Sequence, residues 1–135
     1  MKKNPSASVK RVTRDVETTA VGDLLDHAPR ATLAFVEAEE VEVLPVRAGM
    51  SEGVHIFAVP TAGAPDLRDR EVVLVRDDGP YWFQLRGITV RGIAKRGVAP
   101  IGESGQHLIR YSIEPRRVLA WDYGRLRGSG GGPDR

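Results

Sequence analysis

Apolar residues fall in short segments along most of this chain, and only near its start do they recur at helical spacing. In residues 18 to 28, TTAVGDLLDHA, the side chains of Val21, Leu24, Leu25 and Ala28 share one helical face, with Thr18 or Thr19 as N-cap and Pro29 as stop. After it the period changes. ATLAFVE (31 to 37), EVEVLPVRA (40 to 48) and VHIFAVP (54 to 60) are apolar or alternating runs rich in β-branched and aromatic residues, and they predict three successive strands. APDLRDR (64 to 70) sets Pro65 and Asp66 where a first helical turn tolerates them, which predicts a helix of one or two turns. EVVLVR (71 to 76) resumes strand, DDGP (77 to 80) reads as a tight turn, and YWFQLRGITVRGIAK (81 to 95) supplies the hairpin partner. One or two further strands fit QHLIRYSIEPRRVLAWDYG (106 to 124), around Pro115.

The hairpin partner spends two glycines inside a strand. Tyr81, Phe83 and Leu85 share one parity, whereas Ile88 and Val90 fall on the other. An extra residue near Gly87 restores a common face, which predicts a bulge there, and Gly92 predicts a second bend. A long strand with two bends wraps a sheet into a barrel. The pattern as a whole predicts a mainly β chain of about six strands closed into a small barrel, with one or two short helices.

Composition narrows the class without naming a function. At 135 residues the chain is one domain by length, read here as 18 to 127, with a flexible basic arm over 1 to 17 and a flexible Gly-rich tail over 128 to 135. There is no cysteine, which excludes disulfides, thiolate metal sites and a cysteine nucleophile and predicts a reducing, cytoplasmic setting. No apolar stretch follows the first lysines, so neither a signal peptide nor a membrane span is expected. With 20 basic and 18 acidic residues the formal charge is only +2, too mild to argue for nucleic acid. The arm is more basic, since Lys2, Lys3, Lys10, Arg11 and Arg14 precede the first acidic residue, Asp15. Phosphate contact through it is the sharper reading, and a solvated terminus the plainer one.

Candidate chemistry is sparse. His27, His55 and His107 show no metal-ligand spacing, and no serine stands in a nucleophile elbow. Glu37, Glu39, Glu40 and Glu42 read as the solvated turn of a hairpin rather than a cation loop. No glycine-rich phosphate cradle is present. What remains is a set of strand-associated arginines, Arg47, Arg68, Arg70, Arg86 and Arg91, and the aromatics Trp82, Trp121 and Tyr123. Arginine forks suit phosphate or carboxylate, but the polar face of an antiparallel sheet is the plainer account of them.

The order of these pieces resembles the pyridoxamine 5'-phosphate oxidase-like family of flavin-binding split barrels. The likeness spans roughly residues 18 to 127 and is carried by LPVR (44 to 47), the IFAVP strand, REVVLVRDDG, the R-G-x-A segment at 91 to 94 and the closing P-x-x-V-x-x-W at 115 to 121. It implies a six-stranded, Greek-key split β-barrel homodimer with FMN or a deazaflavin at the subunit interface. Leu44, Pro45, Val46 and Arg47 would run beside the cofactor, and Val59, Pro60 and Thr61 would approach its phosphate. Arg68 and Arg86 are further candidates for that phosphate, and Trp121 would reach the partner's site. The implied activity is a flavin-dependent oxidoreductase acting on a small molecule. The alternative is a non-enzymatic dimer that carries flavin or haem, or no cofactor, as an interaction module. One departure bears on the choice: where family members place a cation after the third strand, this chain has TAGAP at 61 to 65.

Overall fold

The computed structural model describes residues 15–24, 28, 30–62, 64–81, 84–97 and 108–124. The short strand β1 (Asp15–Val16) is followed by β2 (Arg30–Glu37), β3 (Glu40–Pro45), β4 (Arg47–Ser51), β5 (Val54–Pro60), β6 (Glu71–Asp78), β7 (Arg86–Arg96) and β8 (Leu108–Asp122). All pairings are antiparallel, in the order β3-β2-β6-β7-β8-β5-β4, with β1 against the end of β8.

The two outer strands of that order, β3 and β4, are consecutive in the chain and separated only by Val46. The run EVEVLPVRA, predicted as one strand, therefore breaks in the middle. Its first half pairs with β2 and its second with β5, so the chain itself carries the sheet from one edge to the other. The break is held by the Val46 N–H, which donates to the Ala31 carbonyl at 3.0 Å. Counting β3 and β4 as one bent strand gives six. Since β6 returns beside β2 after the β2-β3/β4-β5 meander, the topology is the Greek-key split barrel expected from the sequence.

Period-2 alternation fills the barrel. Leu33 and Phe35 of β2, Phe57 and Val59 of β5, Val72 and Leu74 of β6, and Ile88 and Val90 of β7 are buried together in one core. Tyr111 of β8 stacks on Phe57 with ring centroids 5.2 Å apart. The β2–β3 hairpin turns through Ala38 and Glu39, and the β4–β5 hairpin through Glu52 and Gly53, all at positive φ, the geometry that matches strand twist in two-residue turns. The acidic cluster from Glu37 to Glu42 thus lies on and beside a hairpin turn, as predicted.

Four local expectations are corrected. The segment 18 to 28 opens as a 3-10 turn, Thr18–Val21, with Glu17 at the N-cap and no side-chain cap; residues 25–27 and 29 lie outside the described residues. No helix forms over 64 to 70 among its described residues. The segment is pinned instead by buried Leu67, whose N–H donates to the Tyr111 hydroxyl at 3.0 Å, and by hydrogen bonds from Asp69 N–H to the Ala94 carbonyl and from Ala94 N–H to the Arg70 carbonyl. Tertiary partners outside the segment override its local helix signals.

The third correction is that β7 begins at Arg86, not Tyr81, so the parity change that suggested a bulge at Gly87 falls in a loop; Trp82 and Phe83 lie outside the described residues. Pairing runs unbroken through Gly87. Its missing side chain has another use: a Cβ there would stand 2.5 Å from the Trp121 ring and 2.7 Å from the Arg76 carbonyl oxygen. The fourth correction concerns the bulge itself. The register slips between Arg91 and Gly92, which face Arg117 and Pro115, and leaves Arg116 of β8 as the extra residue. There the Glu114 carbonyl oxygen comes within 2.2 Å of where a Cβ on Gly92 would sit. The two motifs at 91 to 94 and 115 to 121 are two sides of this one feature. The arm before Asp15 and the tail after Gly124 lie outside the described residues, as do His27 and His107.

Candidate functional site

Where β3 passes into β4, the chain leaves a cleft of about 380 Å³ on the outside of the barrel, lined by Pro45, Val46, Arg47, Ala58, Pro60 and Leu108. Register explains the set. Arg47 pairs with Ala58 across β4 and β5, and Pro60 pairs with Leu108 across β5 and β8. Of the sequence candidates, Pro45, Val46, Arg47 and Pro60 are brought together here. Leu44 and Val59 flank them in β3 and β5, with Val59 turned into the core, and Thr61 follows Pro60 at the exposed end of β5.

The other three candidates lie elsewhere. Arg68 sits in the loop after β5, where its guanidinium meets the Asp66 carboxylate at 3.1 Å. Asp66 in turn accepts the Arg68 N–H, which, with the nearby guanidinium, holds its carboxyl below the ordinary range. Arg86 lies at the far end of the barrel, bound by Asp78 at 3.0 Å and by Asp23 at 2.6 Å, and these two carboxylates raise its pKa above the ordinary arginine value. Trp121 packs against Gly87 with its Nε1 donating to the Thr89 hydroxyl at 3.0 Å and its ring tilted against Tyr123. Arg86 pairs with Asp122, and Pro60 with Leu108, at opposite ends of β8. Neither Arg86 nor Trp121 is among the described residues that line the cleft.

Backbone donors are scarce in the cleft. Pro45 and Pro60 have no N–H, and the Val46 N–H is committed to Ala31. Beyond it, the N–H groups of Leu67 and Arg68 are committed to Tyr111 and Asp66. Anion recognition here falls to side chains, with Arg47 the only charged group among the described lining residues. Ala58 and Leu108 were not among the sequence candidates. Ala58 was accessible through parity with Pro60, whereas Leu108 depends on a long-range pairing that no local signal announces.

Sequence reading also passed over two buried polar residues. Arg76 follows Val72 and Leu74 into the barrel interior and is only 2% exposed. His55 of β5 is 9% exposed, its Nδ1 has no hydrogen-bond partner, and its pKa is pushed down first by burial and then by the charge of Arg76. A second groove, of about 440 Å³, lies on the outer face of β2 and β6, between Val36, Val41 and Val73 and the side chains of Arg70 and Arg91. Among the described residues no group of three or more metal-ligating side chains is placed to hold an ion, and no helix is long and apolar enough to cross a membrane.

No family model matches this sequence, and no curated protein matches it significantly. Solved structures do. The conserved hypothetical protein Rv2991 of Mycobacterium tuberculosis superposes with a TM-score of 0.67 at 17% identity, covering 88% of this chain and 93% of that one. The FAD and heme binding protein of Mycobacterium smegmatis gives 0.61 at 13% identity, covering 81% of this chain and 73% of that one. A candidate pyridoxamine 5'-phosphate oxidase from Corynebacterium glutamicum gives 0.59 at 13%, covering 81% and 96%. The fold is shared with these proteins along nearly the whole described chain.

Proposed function

We propose that this chain, with the split-barrel fold of the pyridoxamine 5'-phosphate oxidase-like proteins as its frame, binds a flavin in the cleft where β3 passes into β4 and works as an oxidoreductase. The observation that carries the reading is the make-up of that cleft: five apolar residues and one arginine. Apolar walls suit a planar ring system, and a guanidinium fork suits a phosphate. FMN and a deazaflavin are the cofactors the sequence resemblance implies, and the neighbour described as binding FAD and heme adds FAD. A bound flavin supplies hydride or single-electron transfer at its own ring. The chain's share is to hold and shield it: Pro45, Val46, Ala58, Pro60 and Leu108 exclude water from one side, while Arg47 and the Thr61 hydroxyl meet the anionic end. Among the described residues no carboxylate or histidine lines the cleft, and the reading assigns them no acid–base role.

A specific observation favours a second reading, that of a carrier or interaction module without turnover. Of the three arginines available for a phosphate, Arg68 and Arg86 already face carboxylates, and TAGAP supplies no replacement. Fluorescence titration of the purified protein with FMN, FAD and a deazaflavin tests both. Saturable binding is expected, weakened more than about tenfold by Arg47→Ala, or ~1.4 kcal/mol. Unchanged affinity in that variant removes Arg47 from the site, and no saturable binding of any flavin removes the flavin reading. Oxidation of a reduced nicotinamide by the loaded protein then separates enzyme from carrier.

A further inference from the structure

One row of paired residues crosses the outward side of five strands: Val43 of β3, Ala34 of β2, Val73 of β6, Arg91 of β7 and Arg117 of β8. It is apolar at one end and doubly cationic at the other. Ala34 and Val73 of this row lie in the outer groove of about 440 Å³, with Val36 and Val41 beside them, and Arg91 lines its edge. A groove of that volume is in the range of small-molecule sites.

The cationic end is short of counter-charge. Directly opposed residues of an antiparallel pair bring their Cβ atoms to within ~5.5 Å, and like charges placed so are destabilising unless something neutralises them. Glu71 accepts the Nε–H of Arg91 at 2.7 Å, so among the described residues the two terminal nitrogens of that guanidinium keep their donors. Arg117 is exposed, and among the described residues no carboxylate bonds it. Its neighbour Arg116 already has Glu114 at 4.0 Å. Two opposed guanidiniums therefore share one carboxylate, which leaves a single positive charge uncompensated beside an apolar groove. The register slip that follows Arg91 bends both strands at this point, and bulges are a common means of re-aiming side chains at a binding site. Arg70, by contrast, is a wall of the groove: it donates to the Val36 carbonyl and to Glu37 at 2.8 Å, and its guanidinium stands 5.8 Å from the Phe35 ring centroid.

We infer that this groove binds a small amphiphilic anion, an apolar body carrying one phosphate or carboxylate, with the head held by Arg91 and Arg117. A guanidinium fork matches either head group. From Arg91 to Ala34 is two strand spacings, or ~10 Å, room for a body of two fused rings over Val73 and Ala34. None of the residues lining this groove lines the cleft between β3 and β4, so the inference does not depend on the flavin reading.

Equilibrium dialysis of the whole chain against 2-naphthyl phosphate and, in parallel, 2-naphthoate tests the site and distinguishes the two heads. Saturable binding of at least one probe is expected. 2-Naphthol, which lacks the head, and inorganic phosphate, which lacks the body, are each expected to bind more than about tenfold more weakly, because neither makes both contacts. Arg117→Gln is expected to weaken the bound probe by about tenfold, the effect of one lost charge-assisted contact, and Val36→Glu to abolish binding, both with unchanged far-UV circular dichroism. Saturation by neither probe overturns the inference, as does equal binding of 2-naphthol or undiminished binding by Arg117→Gln. Loss of the probe in Arg47→Ala with full binding by Arg117→Gln would seat it in the other cleft and overturn the inference as well.

Discussion

Two parts of the barrel wall handle their backbones in opposite ways. Along β7 and β8 the strands pair from Arg86 to Arg96, and side chains are deleted wherever something must come close: at Gly87 for the Trp121 ring, and at Gly92 for the Glu114 carbonyl. Where β3 passes into β4, each strand pairs on one side only, the link is a single residue, and the cleft and exposed valines lie alongside. The first region spends its sequence on fit, and the second leaves room. The contrast teaches that stability and recognition are written in different strands, so substitutions should separate the two properties cleanly.

The largest effect belongs to the seam. Gly92→Ala puts a methyl 2.2 Å from a backbone carbonyl that the bulge holds in place. It is expected to cost ~3 kcal/mol or more by urea denaturation, the size reserved for severe overpacking. A loss below ~1 kcal/mol would mean that the bulge is soft and the contrast false.

Arg86→Gln is next. It removes the fork that joins Asp23, before β2, to Asp78 at the end of β6. Because all three groups are partly exposed, solvent screening limits the expected loss to ~1 kcal/mol. Flavin affinity should not move, since Arg86 is not among the described residues that line the cleft. A tenfold weaker flavin titration would place Arg86 in a binding site after all.

Acidification probes the interior between the two regions. In the folded chain the His55 pKa lies below its ordinary 6.5, because burial and the Arg76 charge both disfavour the imidazolium. Between the folded and unfolded values the unfolded chain binds a proton that the folded chain does not. Stability contributed by neutral His55 is therefore complete above pH 6.5 and is lost as pH falls toward the folded value, by no more than ~1.4 kcal/mol per pH unit. Urea midpoints at pH 7.5 and 5.5 should fall further for the wild type than for His55→Leu; parallel falls would assign the loss to other groups.

How much of this was legible in the sequence follows the range of the interactions. The strands were readable because alternation is local, and even the broken strand 40 to 48 was found whole. Its break at Val46 was not, because it depends on the partners of Val46 and Arg47, Ala31 and Ala58, 15 and 11 residues away, that no local pattern names. The 64 to 70 helix failed for the same reason, its backbone being taken by Tyr111 and Ala94. The site divided likewise. LPVR and the end of β5 converge through neighbouring hairpins, but the pairing of Arg68 and Arg86 with carboxylates was invisible to a reading that judged arginines one at a time. Trp121 is the reverse case: its motif was legible, and its packing on Gly87 gives that glycine a role which parity had misassigned.

The smallest effect is the sharpest test of the comparison, since it asks the same substitution to change sign. Gly49 stands in the middle of β4, at ordinary strand dihedrals, and a Cβ there would have the Ile56 Cγ1 as its nearest neighbour at 3.9 Å, an ordinary contact. Unlike Gly92, it is not required by any close approach. Gly49→Ala removes backbone freedom from the unfolded chain without straining the folded one, and such changes stabilise by ~0.5 kcal/mol. A small rise in urea midpoint at Gly49 beside a large fall at Gly92 would locate the tight backbone in the seam and the slack in the split. A loss at Gly49 comparable to that at Gly92 would show that β4 is as closely fitted as β7, and that the cleft beside it is the outcome of tight packing rather than of open wall.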